Sequence, residues 1–173
     1  MAIERVVSSD SSYPDGLRIL SGKESISELF ILGNPDLLSQ SWLALFCSSK
    51  CPGSLILQAY DLALAMQKAG ASLAGGFHSP VEQDTLKIAL RGEQSILVSP
   101  ARGLEGMRVP IVCRKPLENG RLLFASIFPA KFKRPTAETA HERNRFVAAL
   151  AAKVLVIHAE PGGKLAALCQ EIL

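Results

Sequence analysis

The sequence predicts a single α/β domain built on a mostly parallel sheet with helices on both faces. Three observations lead there. Short apolar runs recur at residues 29–32, 42–47, 72–75, 95–98, 122–125 and 154–158. Segments of helical period stand between several of them. The length, 173 residues, supplies one substantial core and falls short of two ordinary domains. Continuous apolar strands separated by helices suit a sheet that is buried on both faces.

Taken in order, residues 1–28 hold the turn-like Ser11-Ser12-Tyr13-Pro14-Asp15-Gly16 and little periodicity, and read as an N-terminal extension lying on a domain of residues 29–173. After the first two apolar runs, a helix over 53–69 places Leu55, Leu62, Ala65 and Met66 on one face, with Gly70 at its C-terminal stop. The run 72–75 leads into Ser79-Pro80-Val81-Glu82, which joins an N-cap serine, a proline at the first helical position and a capping-box glutamate. That helix continues through Leu86 and Leu90 to Gly92. After the runs 95–98 and 122–125, Thr136 caps a third helix that turns Phe146, Val147 and Leu150 inward. The run 154–158 closes the strand series, and a fourth helix begins near Gly163.

Composition excludes several classes. Hydrophobic residues make up 48% and charged residues 20%, as in ordinary globular proteins. No stretch approaches the roughly 18 apolar residues of a membrane span, and the N-terminus lacks a signal-peptide core, so a cytoplasmic protein is expected. The four cysteines suit reduced thiols. Cys47 and Cys51 have no second pair, and His78, His141 and His158 are scattered, so neither a metal nor a cofactor is expected. The net charge of +3 is small. Yet between Arg102 and Arg145 ten Lys and Arg face four Glu, which suits either a solvated basic face or an anionic partner.

In an open parallel sheet, ligands gather beyond the carboxyl ends of the strands, where helix N-termini offer amides to anions. Three turns fall at that edge: Ser48-Ser49-Lys50 ahead of Pro52-Gly53, then Gly75-Gly76-Phe77-His78-Ser79, and then Pro161-Gly162-Gly163-Lys164. A fourth feature, Arg143-Asn144-Arg145, lies in the third helix and offers paired donors suited to phosphate. Phe128 and Phe132, with Lys131, Lys133 and Arg134, form a segment that suits base stacking beside a phosphate track, or alternatively a loop anchor or dimer contact.

At these residues the chain resembles the DprA/Smf DNA-processing family, whose Rossmann-like fold is related to the LOG or lysine-decarboxylase-like group. Arg143-Asn144-Arg145-Phe146-Val147-Ala148, the strand from Val154 and the Gly162-Gly163 turn look like that family's Arg-Asn-Arg helix, strand and phosphate-facing loop. Cys47-Ser48-Ser49-Lys50 holds the place of its Gly-Ser-Arg turn, with Cys47 and Ser49 replacing Gly and Arg, and His78 stands where a second loop carries Arg. The chain reads as a short, divergent member. The resemblance implies a homodimer that binds single-stranded DNA or a nucleotide, in DNA processing or uptake, and a binding role without turnover is the first expectation.

Two alternatives stand beside it. Pro161-Gly162-Gly163 also looks like the opening of the LOG motif, which implies a nucleoside monophosphate phosphoribohydrolase. The motif's glutamate position holds Cys169, and only Glu82 and Glu160 offer carboxylates nearby. No catalytic residue is assigned on that reading. The other alternative is a non-catalytic interaction module.

Overall fold

Seven strands form one sheet in the order β1-β2-β6-β5-β4-β3-β7, in a computed structural model that describes residues 2–18 and 26–172. The strands are β1 (Glu4–Val7), β2 (Glu28–Gly33), β3 (Leu43–Cys47), β4 (Leu73–Gly75), β5 (Ile96–Val98), β6 (Leu122–Ser126) and β7 (Lys153–His158). From β6 across to β7 every pairing is parallel, while β2 runs antiparallel to both β1 and β6. The parallel part requires the continuous apolar runs seen in the sequence, because helices cover both faces. All five residues of β6 are buried. Successive residues alternate between two cores: Ala44 and Phe46 join Phe146, Val147, Leu165 and Leu168 on one face, whereas Leu45 joins Ala63, Met66, Ile88 and Leu117 on the other.

The helices are α1 (Asp15–Arg18), α2 (Gly53–Lys68), α3 (Pro80–Leu90), α4 (Ile111–Glu118), α5 (Ala137–Leu150) and α6 (Lys164–Ile172). Ser79 caps α3 in a reciprocal capping box with Glu82. Thr136 caps α5, with Thr139 returning the bond, and Phe146, Val147 and Leu150 are buried. Among the described residues no helix is long and apolar enough to cross a membrane.

In three places the structure departs from the sequence reading or adds to it. On α2 the buried residues are Ala59, Ala63 and Met66, while Leu62 and Ala65 are exposed. Two of the three buried residues are alanines, whose small side chains let the backbones approach, and Leu57, Leu62 and Leu64 turn outward. Helix α4 was missed because its two most apolar residues, Ile111 and Val112, point to solvent at 79% and 63% exposure, and Pro116 lies inside it. The segment 1–28 contributes more than a covering. Its Glu4 to Val7 pair with Val7↔Glu28 through Glu4↔Ile31, and Val6, Tyr13 and Leu17 are buried. A four-residue edge strand beginning Glu-Arg carries too little pattern to be read alone. Residues 19–25 of that segment lie outside the described residues.

Because β3, β4, β5, β6 and β7 are parallel, their carboxyl ends share one edge of the sheet. The loops predicted to meet a ligand leave from three adjacent strands, β4, β3 and β7.

Candidate functional site

The loop after β3 is tied to the loop after β7 through Ser48. Its amide donates to the His158 carbonyl at 2.8 Å, and its hydroxyl oxygen accepts from the Glu160 amide at 2.9 Å. The β3–β7 register shifts between Phe46 and Cys47, an irregularity that re-aims side chains at a strand end. The second partner in this link is itself a tight turn. Pro161 and Gly162 occupy its centre, Gly162 has φ 71°, and the Gly163 amide donates to the Glu160 carbonyl at 2.9 Å. A positive φ at that position selects glycine, and proline before it presets the turn.

The loop after β4 is organised from within by Glu82. Its carboxylate accepts from the amides of Cys47 and His78, each at 2.8 Å, and from the Ser79 amide at 3.2 Å. The amides of His78 and Ser79, at the N-terminus of α3, therefore face an internal carboxylate. Phe77 has a positive φ of 47°, a conformation uncommon outside glycine, and its ring is buried. It folds back onto Gly75, where an added Cβ would meet the ring at 3.2 Å.

Arg143 closes the back of the site. It is 5% exposed, and its Nη1 donates to the Ser99 carbonyl at 2.9 Å while Nε donates to Asn144 Oδ1 at 2.7 Å. The guanidinium lies against Gly76, where a Cβ would approach Nη1 to 1.8 Å. Burial lowers its pKa from the ordinary arginine value, and the charge of Glu82 opposes that shift. Arginine nevertheless stays protonated in proteins, so the site carries a fixed buried cation.

Together these elements enclose a cleft of about 340 Å³. Of the residues expected to bind ligand, Ser48, Ser49, Lys50, His78, Ser79, Arg143, Asn144 and Lys164 line it. Gly75, Gly76, Gly162 and Gly163 do not; they shape the turns behind it. Arg145 is directed elsewhere, with Nε 3.3 Å from Glu171 of α6 and Nη1 3.8 Å from Glu142. The cause is helical geometry: residues two apart on a helix do not share a face, so Arg143 and Arg145 diverge. Sequence reasoning missed Cys47, Ala140 and Leu165 as walls; Glu82, read as the capping-box residue, and Glu160, weighed only as a stand-in for a missing catalytic acid, also line the cleft. Glu160 sits near the mouth, its Oε2 3.6 Å from His158 Nε2.

The basic segment after β6 leaves from the same sheet edge and runs into α5. Phe128 is buried and Phe132 is 37% exposed, their centroids 5.5 Å apart. Phe132 is held by its amide bond to the Pro129 carbonyl and by its own carbonyl, which accepts from Gly103. Lys131 Nζ lies 5.4 Å from the Phe132 ring centroid. Lys131, Lys133 and Arg134 are exposed and stand outside the cleft lining. Phe128 is thus the anchor of the segment, and Phe132 is its accessible ring.

Among the described residues, no group of three or more His, Cys, Asp or Glu could hold a metal ion. Cys169 packs half-buried against the core and lies outside the cleft lining. The arrangement offers charge-assisted hydrogen bonds from Lys50, Lys164 and Arg143, and hydroxyl or amide bonds from the serines and Asn144. That combination has the donor chemistry that suits phosphate oxygens.

Comparison with known proteins bears on the family and the fold. The model of the family DNA recombination-mediator protein A matches residues 4–168. No curated protein sequence matches the chain. The structure is similar to that of DNA processing protein A (DprA) from Streptococcus pneumoniae, with a TM-score of 0.79 at 19% identity, over 98% of this chain and 59% of that one. It is also similar to DNA processing protein A from Helicobacter pylori, a protein described for its single-stranded DNA binding mode, with a TM-score of 0.74 at 20% identity, over 98% of this chain and 77% of that one. The chain therefore spans under two thirds of the pneumococcal structure.

Proposed function

The chain belongs to the DNA recombination-mediator protein A family, and from that premise we propose that it binds single-stranded DNA at the carboxyl edge of its sheet. The observation that carries this reading is the convergence of the 48–50 loop, Arg143, Asn144 and Lys164 on one cleft, beside an exposed basic segment that starts at the same edge. The cleft takes one phosphate and its nucleoside. Lys131, Lys133, Arg134 and the Phe132 ring then meet the neighbouring backbone and a base. The similar protein from Helicobacter pylori is described as binding single-stranded DNA, which supports the same ligand class here.

Several further features belong to this reading. The ligand is bound without turnover, because the carboxylates at the cleft are engaged or marginal: Glu82 accepts from three amides, and Glu160 pairs with His158. The protein works in the cytoplasm, as a homodimer and without a cofactor. A mononucleotide is the second ligand to test, since about 340 Å³ lies within the range of small-molecule sites.

The deciding experiment titrates a fluorescent single-stranded oligonucleotide by anisotropy, with nucleoside monophosphates as competitors. Ligands released from the purified protein are identified by mass spectrometry alongside. Oligonucleotide binding with weak mononucleotide competition is expected; a mononucleotide that binds tightly while the oligonucleotide does not bind overturns the DNA reading. Release of free base from a nucleoside monophosphate, dependent on Glu160, overturns the absence of turnover.

A further inference from the structure

The 48–50 loop is bracketed by two cysteines. Cys47 ends β3 with its side chain 5% exposed, and Cys51 stands before the N-terminus of α2, partly exposed. Both belong to one small apolar cluster with Ile56, Ala59, Val81 and Ile157. Burial, and after it the neighbouring Cys51 thiol, pushes the Cys47 thiol up to about 12. Cys51 also donates to the Pro52 carbonyl at 3.8 Å. The remaining cysteines belong to other parts of the structure: Cys113 to the core under α4 and Cys169 to the α6 side of the sheet.

We propose that Cys47 and Cys51 are a dithiol site that closes to a disulfide across the 48–50 loop when the protein meets a small-molecule disulfide such as glutathione disulfide. The order of events follows from exposure. The accessible Cys51 thiolate attacks one sulfur of glutathione disulfide, breaking that S–S bond, forming a mixed disulfide and releasing one glutathione thiolate. Cys47 gives its proton to the released thiolate and attacks the Cys51 sulfur, expelling the second glutathione, which takes up a proton. Two protein thiols are oxidised and one glutathione disulfide is reduced to two thiols, so atoms and electrons balance.

The consequence for the site is local. Ser48, Ser49 and Lys50 all line the cleft, and closing the ring around them restrains the loop while Ser48 stays tied to β7. Resting on the proposed DNA reading, oxidation removes the adaptable reach of Lys50. Affinity for an oligonucleotide is expected to fall about tenfold, the loss of one hydrogen bond to a charged group.

The test incubates the full chain with glutathione disulfide, alkylates the remaining thiols and maps the peptides by mass. The expected product lacks two hydrogens in the peptide spanning Cys47 and Cys51, in the wild type and in the double variant Cys113→Ser, Cys169→Ser. The variant Cys47→Ser should instead keep a glutathione adduct on Cys51. A persistent adduct in the wild type, or two thiols that remain open to alkylation after oxidation, overturns the proposal. Oligonucleotide anisotropy on reduced and oxidised protein separates the two ideas. Failure of the reduced chain to bind overturns the DNA reading and leaves the disulfide to the mass data. Binding that is equal in both states, with the disulfide formed, overturns the proposed effect on the loop.

Discussion

The guanidinium of Arg143 lies so close over Gly76 that a single added methyl would overlap its Nη1 at 1.8 Å. Ordinarily the end of an arginine side chain moves aside at little cost. Here it is held by the Ser99 carbonyl and by Asn144 and is buried, so displacement breaks a charge-assisted bond and leaves a buried acceptor unpaired. Gly76→Ala is expected to lower stability by about 1–3 kcal/mol and to weaken anionic ligand by opening the back of the cleft. Urea denaturation and anisotropy titration check this pair. Unchanged values of both would mean that Arg143 has room to swing away.

The two arginines of the Arg143-Asn144-Arg145 triplet are expected to behave differently. Arg145 reaches Glu171 and Glu142, so Arg145→Ala should loosen the α5–α6 contact slightly and leave oligonucleotide affinity nearly unchanged. Lys50 lines the cleft, and Lys50→Ala should weaken binding about tenfold or more, as for a lost bond to a charged group. Equal losses in the two variants would place Arg145 on the ligand path despite its distance from the cleft.

This contrast shows what was legible in the sequence. The strands at 42–47, 72–75, 95–98 and 122–125 were readable because burial on both faces demands unbroken apolar residues, whereas that at 154–158, an edge strand with no fully buried residue, was readable from its apolar run alone. The capped starts of α3 and α5 were readable from Ser79 and Thr136. What escaped depended on distant partners. Glu82 was legible as a capping-box residue, but its bond to the Cys47 amide spans 35 positions and no local pattern announces it. The divergence of Arg143 and Arg145 was implicit in the helical period. Their destinations, Ser99 and Glu171, depend on how α5 sits against β5 and α6. Strand β1 was hidden because its hydrogen bonds come from β2 and not from a pattern of its own.

Asp84, which is not among the residues that line the cleft, supplies a pH test. Hydrogen bonds from Lys87 and then Tyr60 hold its carboxyl below the ordinary value of 3.8. A carboxylate whose folded pKa is depressed adds stability that is fully present above the unfolded pKa and is lost as pH falls through the folded value. Wild type should therefore exceed Asp84→Asn in urea midpoint at neutral pH, with the gap closing below about pH 4. The effect is expected to be small because the group is solvent-screened. A gap that stays constant through the acid range would assign the difference to lost hydrogen-bond geometry instead of charge.

The last prediction separates a nucleic-acid strand from a mononucleotide by counting phosphates. Lys131, Lys133 and Arg134 are exposed and stand outside the cleft lining, so a ligand with a single phosphate in the cleft has no reason to reach them. A strand that continues past Asn144 and the start of α5 meets all three. Each neutralised phosphate releases condensed counterions and adds roughly 0.7 to the logarithmic salt slope for single strands, so replacing the three with alanine should flatten the slope by about 2. Phe132→Ala should reduce affinity with little change in slope, because stacking on its ring carries no counterion cost. Mononucleotide affinity should be nearly insensitive to all four replacements. Anisotropy titrations of one oligonucleotide at several salt concentrations, for wild type and both variants, decide the matter. A slope unaffected by the triple replacement would remove the segment from the DNA path and confine the ligand to the cleft between Lys50 and Lys164.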